Sequence, residues 1–214
     1  MNQSRATTPT ISCIVEGQAD ELALPVLMRR IAAECDPPAY VNVFVAKRVP
    51  RSSLVKPGGI ERVVEETARM GSARDAILIL IDADDDCPAR LGPQLRRRAK
   101  TVRPDRLISV VLAKREYEAW FLAAAASLAG KRGLPTGLQP PPDPESIRGA
   151  KEWLGMHLPH GRKYSETADQ PALTALFDVQ QARTADSFDK CYREIAALIA
   201  AVTQPAPDYQ GHTP

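Results

Sequence analysis

Cysteine is scarce in this chain of 214 residues, and long apolar runs are missing. The four cysteines, Cys13, Cys35, Cys87 and Cys191, are scattered and form no CxxC pair. This pattern indicates neither a disulfide framework nor a zinc knuckle, and it suits a reducing compartment. No apolar run approaches the roughly 20 residues that span a bilayer, and the N-terminus has no apolar signal core. We therefore expect a cytoplasmic protein that makes no membrane contact.

An excess of charge of one sign is also missing. Lysine and arginine together number 28, aspartate and glutamate 26, and the formal net charge is +2. A charge this small creates no general attraction for nucleic acid, so such contacts would require a local basic patch. Apolar residues make up 44% of the chain, which is enough for a globular core.

Short apolar runs alternate with amphipathic stretches along the first part of the chain. Residues 76–81 are all apolar, and residues 107–112 are apolar except for Ser109, which indicates strands buried on both faces of a sheet. Strands that alternate with helices form right-handed βαβ units. The sequence therefore predicts an α/β, Rossmann-like fold with a parallel sheet of about four strands covered by helices.

A segment rich in glycine and proline, residues 130–144, divides the chain. Helical patterns follow it near residues 145–157, 171–182 and 186–202. We expect an α/β core over residues 10–128, a helical extension over 129–203 that packs on this core, and a flexible tail over 204–214. The basic segment from Lys47 to Gly59 is interpreted as a loop.

Acidic residues follow three of the predicted strands. Glu16 follows the first, Asp82 and Asp84 follow the run at 76–81, and Glu118 comes after the last. Ligands of open parallel sheets bind beyond the carboxyl ends of the strands. Carboxylates crowded there repel one another unless a cation balances them, and Mg²⁺ (or Mn²⁺) accepts such ligands. The sequence therefore predicts a divalent metal site at this edge of the sheet.

The spacing of Asp82 and Asp84 predicts the directions in which their side chains point. In an extended chain, residues two apart project to the same side, so both carboxylates would approach one ion while Asp85 points elsewhere. The alternative is that acids after a strand cap the next helix, and Asp86 before Cys87 fits that description. The presence of Glu16 at a neighbouring strand end favours the metal site.

Two basic segments are candidates for contact with phosphate. Lys47, Arg48 and Arg51 follow the second strand on the same edge as Glu16, where they would hold a phosphate backbone. Lys163 would stabilise charge that develops on a phosphoryl group, or it is a solvated surface residue. The basic run at residues 96–106 is interpreted as a solvated helix face.

Several short motifs resemble known families. Val15-Glu16-Gly17 and the segment Leu80-Ile81-Asp82-Ala83-Asp84 resemble the signature of the Toprim domain, which is found in topoisomerases, primases and the overcoming-lysogenization-defect nucleases. That resemblance covers roughly residues 11–120. The segments 115–121, 163–164 and 167–171 resemble a bacterial family with a Toprim-like core, the domain-of-unknown-function 4276 family.

The resemblance implies a role for each acidic residue. Glu16 would be the general acid or base, Asp82 and Asp84 would hold Mg²⁺, and Asp20 or Glu118 would complete the metal shell. One departure weakens the match. Many Toprim sites have a glycine soon after the Asp-x-Asp motif, whereas the segment 85–88 here is Asp-Asp-Cys-Pro, and its extra negative charge would repel a phosphodiester.

Three functions are compatible with these features. The first is a Mg²⁺-dependent nuclease, with Glu16 and Lys163 as catalytic residues and nucleic acid as its partner. The second, suggested by the resemblance, is an interaction subunit that depends on an ATPase encoded nearby in bacterial phage defence. The third is a phosphotransfer protein that is phosphorylated on Asp82. The sequence leaves homo-oligomer formation open.

Overall fold

A parallel sheet of four strands forms the centre of the computed structural model, which describes residues 8–204. The strands are β1 (Thr10–Val15), β2 (Asn42–Arg48), β3 (Ala76–Asp82) and β4 (Ile108–Ala113). They lie in the order β2-β1-β3-β4, and every neighbouring pair is parallel. The predicted α/β, Rossmann-like fold is confirmed.

Helices flank the sheet and make up most of the chain beyond it. They are α1 (Gln18–Glu34), α2 (Arg51–Leu54), α3 (Gly59–Met70), α4 (Pro88–Val102), α5 (Ala119–Ala123), α6 (Ala125–Leu128), α7 (Ala150–Met156), α8 (Glu166–Thr174), α9 (Val179–Ala182) and α10 (Asp186–Thr203). A short 3-10 helix, Pro144–Ser146, precedes α7. Among residues 8–204, we find no helix with the length and apolar character needed to cross a membrane.

The unbroken apolar sequence of β3 is explained by the two cores on either side of the sheet. Successive side chains of a strand point to opposite faces. Leu78 and Leu80 accordingly belong to a core that includes residues of α1 and α10, whereas Ile77 and Ile79 belong to a core with residues of α3 and α4. Both faces of the strand are covered, so every position must be apolar.

The C-terminal helices cover one face of this sheet. Helix α10 packs on β1, β3 and β4, and its residues Phe188 and Ile195 belong to the same apolar cluster as Leu27 of α1. The predicted boundary between a core at 10–128 and an extension at 129–203 stays a prediction. The predicted tail at 204–214 lies outside the described residues, except for Gln204.

Two segments differ from the expected secondary structure. The expected loop from Lys47 to Gly59 contains the end of β2 and the helix α2. The expected helix at 171–182 is two helices, because α8 begins at Glu166 and Asp178 starts α9 separately. The Asp178 side chain accepts a hydrogen bond from the N–H of Gln181 at 2.9 Å, which caps the new helix.

Candidate metal and phosphate site

The candidate site lies where the strand order of the sheet reverses. From β1 the chain leads to β2 on one side, and it then returns to β3 on the other side of β1. Ligands of open α/β sheets bind at such a point, beyond the carboxyl ends of the strands. Glu16 follows β1 directly, and Asp82 is the last residue of β3.

Glu16 has a buried carboxylate oxygen without a partner. Its Oε2 atom accepts no hydrogen bond from any residue between 8 and 204. Burial raises the pKa of Glu16, the backbone N–H groups of Arg51 and Asp82 partly oppose that rise, and the charges of Asp84 and Asp20 add to it. A buried acceptor without a partner is costly, so this oxygen is suited to receive a proton, a water molecule or a cation.

Asp82 lies within a group of interacting carboxylates. Its Oδ1 accepts a hydrogen bond from the N–H of Tyr117 at 2.9 Å. The pKa of Asp82 is raised well above its usual value, first by burial and then by the charges of Asp20, Glu118 and Glu16. The acids from α1, β1, β3 and the segment after β4 therefore interact at one edge of the sheet.

Side chains from the C-terminal third hold two of these acids in place. Gln170 donates a hydrogen bond to Oδ1 of Asp20 at 2.8 Å. The hydroxyl of Tyr164 donates to Oε1 of Glu118 at 3.0 Å. Glu118 is buried, and burial raises its pKa to about 7 even though the charge of Lys151 acts in the opposite direction. Residues that are far apart in the sequence thus complete the site.

Lys151 provides a positive charge among these carboxylates. Its Nζ lies 3.3 Å from Oε1 of Glu166, 3.9 Å from Oε2 of Glu116 and 4.0 Å from Oε2 of Glu118. Burial opposes the charge of this lysine, but the surrounding acids outweigh burial and raise its pKa. Sequence reasoning missed Lys151.

The start of α7 explains how Lys151 reaches the site. Gly149 precedes the helix with a φ of 74°, a conformation that favours glycine. The N–H of Ala150 donates to Oε1 of Glu116 at 2.8 Å, which fixes the first turn against the site. The available signal was the sequence Arg148-Gly149-Ala150-Lys151, a glycine between two cations at the start of a helix.

Asp82 at the end of β3, and Asp84 and Asp85 after it, border a single cleft of about 470 Å³. Its lining residues are Asp82, Asp84, Asp85, Arg115, Glu116, Arg148, Gly149 and Lys151. The expectation that Asp85 points elsewhere does not match this arrangement. The backbone of Asp84 is left-handed, with a φ of 50°, so the rule for extended chains no longer applies beyond Ala83.

Arginines balance the aspartates of this segment. Arg115 lies 2.5 Å and Arg148 2.6 Å from Oδ1 of Asp85. Arg51 lies 3.5 Å from Oδ2 of Asp84 and also pairs with Asp86. The expected capping role of Asp86 is therefore replaced by an ion pair, and the extra negative charge of the segment is largely neutralised.

The structure separates the predicted phosphate-binding cations. Arg51 reaches the site from α2, whereas Lys47 pairs with Glu66 at 3.1 Å and Arg48 pairs with Glu21 at 3.1 Å. Lys163 is exposed and makes no ion pair or hydrogen bond with any described residue. The roles of Lys47, Arg48 and Lys163 stay predictions.

The ligand atoms of this site fit a hard divalent cation only in part. Within residues 8–204, no three histidine, cysteine, aspartate or glutamate side chains lie close enough together to hold a metal ion. However, Mg²⁺ needs only one or two carboxylates, because it retains several water molecules and binds phosphate oxygens. Asp82 and Asp84, which border the same cleft, supply that number of carboxylates, whereas a tetrahedral zinc site needs four ligands.

The fold and the site define an α/β protein with interacting carboxylates at the carboxyl edge of a parallel sheet. Residues 15–196 match the model of the family described as Domain of unknown function (DUF4276). The chain belongs to this family, as its motifs predicted. No curated protein and no solved structure matches it. The link to the Toprim domain stays a prediction.

Proposed function

We propose that this protein is a Mg²⁺-dependent phosphodiester-cleaving enzyme, a nuclease with a Toprim-like site. The observation that carries the proposal is the carboxylate of Glu16, whose buried oxygen has no partner, at the strand end next to Asp82. Burial raises the pKa of Glu16, so its carboxylate takes up a proton more readily than that of an exposed glutamate, which suits a group that accepts and returns a proton.

The other acids are the proposed metal ligands. Asp82 and Asp84 would hold the ion, with water molecules and phosphate oxygens completing its shell in place of the third carboxylate, Asp20 or Glu118, that the resemblance implied. A bound divalent cation polarises a phosphoryl oxygen and lowers the pKa of a coordinated water molecule. The hydrogen bonds from Tyr117 to Asp82 and from Gln170 to Asp20 keep these acids oriented.

The cations of the cleft support a phosphate substrate. Lys151, Arg115 and Arg148 line the same cleft as Asp82, so an anionic phosphate there would meet both types of charge. Fixed positive charges stabilise negative charge that develops on a phosphoryl group. The pairing of Asp85 with both arginines also reduces the repulsion that its sequence position suggested.

Cleavage assays on the isolated protein test this proposal. Single- and double-stranded DNA and RNA are incubated with Mg²⁺ or Mn²⁺, and Glu16→Gln and Asp82→Asn are compared with the wild-type protein. We expect the rate to fall about a hundredfold or more in either variant, because each removes a group that acts on the reacting atoms. Circular dichroism and thermal unfolding establish that both variants are folded.

Asp36→Asn is the matched control for these variants. Asp36 is exposed and forms no ion pair within the described part of the chain, so its substitution should leave the rate unchanged. The absence of cleavage for all four substrates would contradict the proposal, and so would cleavage that persists at the wild-type rate in Glu16→Gln and Asp82→Asn.

A further inference from the structure

A second concave surface lies along β4, between α4 and α10. It consists of two adjoining cavities of about 400 Å³ and about 550 Å³, which share Gly92, Pro93, Val110 and Lys190. Five cationic side chains line the two cavities, and we call this surface the basic groove. They are Arg96, Arg97, Lys100, Lys114 and Lys190.

The sheet explains why a groove forms there. β4 is an edge strand, and both α4 and α10 pack on it. Side chains of α4 belong to the core on one face of the sheet and those of α10 to the core on the other face. The two helices therefore lie on opposite sides of the strand, and the groove follows its unpaired edge between them.

The groove and the carboxylate cleft are lined by consecutive residues of the chain. Val110, Leu112 and Lys114 line the groove, and the next residues, Arg115 and Glu116, line the cleft. The chain thus passes from one concavity directly into the other. An extended ligand on the groove would point toward the acids at the end of the sheet.

The charge of the groove favours an anionic ligand. Only two acids, Glu145 and Asp186, line it beside the five cations, and Glu145 is buried and accepts a hydrogen bond from the N–H of Ser187 at 3.0 Å. Arg97 and Lys114 form no ion pair with any residue from 8 to 204. Their charges are therefore available to a ligand.

We propose that the basic groove binds the phosphate backbone of a single-stranded polynucleotide and directs it into the carboxylate cleft. This inference rests on the proposed nuclease function and specifies its substrate. The basic groove lies between two helices along the edge of one β-strand, and this shape admits a single polynucleotide strand. A duplex, in contrast, presents its phosphates on a wide convex surface. No aromatic side chain lines the groove, so contacts to phosphates with little sequence preference are expected.

The groove also gives the basic run at residues 96–106 a different role from the one expected. That run was interpreted as a solvated helix face, whereas Arg96, Arg97 and Lys100 border the groove. The predicted phosphate ligands Lys47 and Arg48 lie on β2, at the opposite edge of the sheet, and both are paired with acids. At the edge formed by β4, Lys190 pairs with Glu194, whereas Arg97 and Lys114 form no ion pair with any described residue.

Binding measurements without metal test the inference. The fluorescence anisotropy of a labelled 12-residue oligothymidylate, an oligouridylate and a DNA duplex is measured with the full chain in EDTA, over a range of salt concentrations. We expect both single strands to bind more tightly than the duplex. In Arg97→Glu/Lys114→Glu, affinity for the single strands should fall at least about tenfold, and the salt dependence should become shallower by roughly 0.7 for each lost phosphate contact.

Arg29→Glu/Arg74→Glu is the matched control, because it changes the net charge by the same amount as the groove variant. Both arginines are exposed, neither lines the groove, and neither forms an ion pair within the described residues. This variant should retain at least half of the wild-type affinity for the single strands. The inference is overturned if neither single strand binds, if the duplex binds more tightly, or if the control variant loses as much affinity as the groove variant.

Cleavage assays separate the inference from the function on which it rests. Binding that depends on Arg97 and Lys114, together with no metal-dependent cleavage, would support the groove and contradict the nuclease. Cleavage that requires Glu16 but is as fast in Arg97→Glu/Lys114→Glu as in the wild-type protein would support the nuclease and overturn the groove. Unchanged circular dichroism and thermal unfolding show that the variants are folded.

Discussion

Lys151 is balanced against several acids at once. The charges of Glu118, Glu166, Asp82 and Glu116 all favour its protonated form. Without this lysine, the same acids would face one another with less compensation and would repel more strongly. We therefore regard the side chain as the internal counter-charge of the metal-free protein.

Substitution of Lys151 tests this interpretation. We expect Lys151→Met to lower the free energy of unfolding by about 1 kcal/mol in EDTA at pH 7.5, because a partly buried charge network loses its cation. Urea unfolding measures the effect. Lys163→Met is the control, since Lys163 is exposed and has no partner among the described residues, and its effect should stay within about 0.5 kcal/mol. Equal stability of wild type and Lys151→Met would contradict the interpretation.

The residues of the site differ in how well the sequence predicts them. Glu16 and Asp82 follow apolar runs directly. The carboxyl ends of parallel strands all lie at the same edge of the sheet, so the sequence positions of these two residues were enough to place them at that edge. Lys151 and Tyr164 come from irregular or short elements after the segment at 130–144. Their places depend on tertiary packing, which no local pattern encodes.

The junction between α2 and α3 determines where Arg51 lies. Helix α2 is a single turn, and Gly59 begins α3 so close to it that a Cβ atom on Gly59 would overlap the carbonyl oxygen of Ser53. Only glycine therefore allows this packing. A shift of α2 would change the position of Arg51 relative to Asp84, with which it forms an ion pair.

Alanine at position 59 is expected to destabilise the protein. We expect Gly59→Ala to lower the free energy of unfolding by about 1–3 kcal/mol through overpacking, although alanine normally favours a helix over glycine by up to about 1 kcal/mol. Urea unfolding measures the change. Gly137→Ala is the control, because a Cβ atom there meets nothing within 4 Å. A stabilised Gly59→Ala would show that helix propensity outweighs the contact.

At the level of elements, long periodic segments were predictable and short ones were not. The apolar runs of β3 and β4 indicated both type and place. The segment between the end of β4 at Ala113 and the start of α5 at Ala119 has no such pattern. Arg115 has a φ of 67°, and its carbonyl accepts a hydrogen bond from the N–H of Asp84, so the chain continues beside β3 before it turns.

The molecule has one apolar cluster that joins the sheet to the C-terminal helices. Trp120, which is fully buried, stacks edge-on against Phe188 of α10 at a centroid distance of 5.1 Å, and its Nε1 donates to Ser187. Trp153 of α7 packs against the same cluster. The sheet and the C-terminal helices therefore each need the other to bury their apolar faces.

This shared core predicts a single unfolding transition. We expect urea curves from far-ultraviolet circular dichroism and from tryptophan fluorescence to coincide, because loss of α10 would expose the sheet. Trp120 and Trp153 are the two tryptophans of the chain, so Trp153→Phe restricts the fluorescence to Trp120. Separate transitions by the two methods would show that the C-terminal helices unfold independently.

At the level of the whole molecule, the sequence predicted the fold class and the edge of the sheet that carries the acids. It did not predict the groove beside β4. Arg97 lies on α4, Lys114 directly after β4 and Lys190 on α10, and only the packing of α4 and α10 on one strand brings them together.

The long sequence separation between the acids and their supporting side chains has a consequence for synthesis. Glu16 leaves the ribosome well before Lys151, Tyr164 and Gln170, which hold the acidic edge together. A nascent chain that ends before these residues lacks both the cation and the hydrogen-bond donors of the site. The acidic edge is therefore complete only once the chain has been synthesised as far as Gln170, and any site that depends on it forms no earlier.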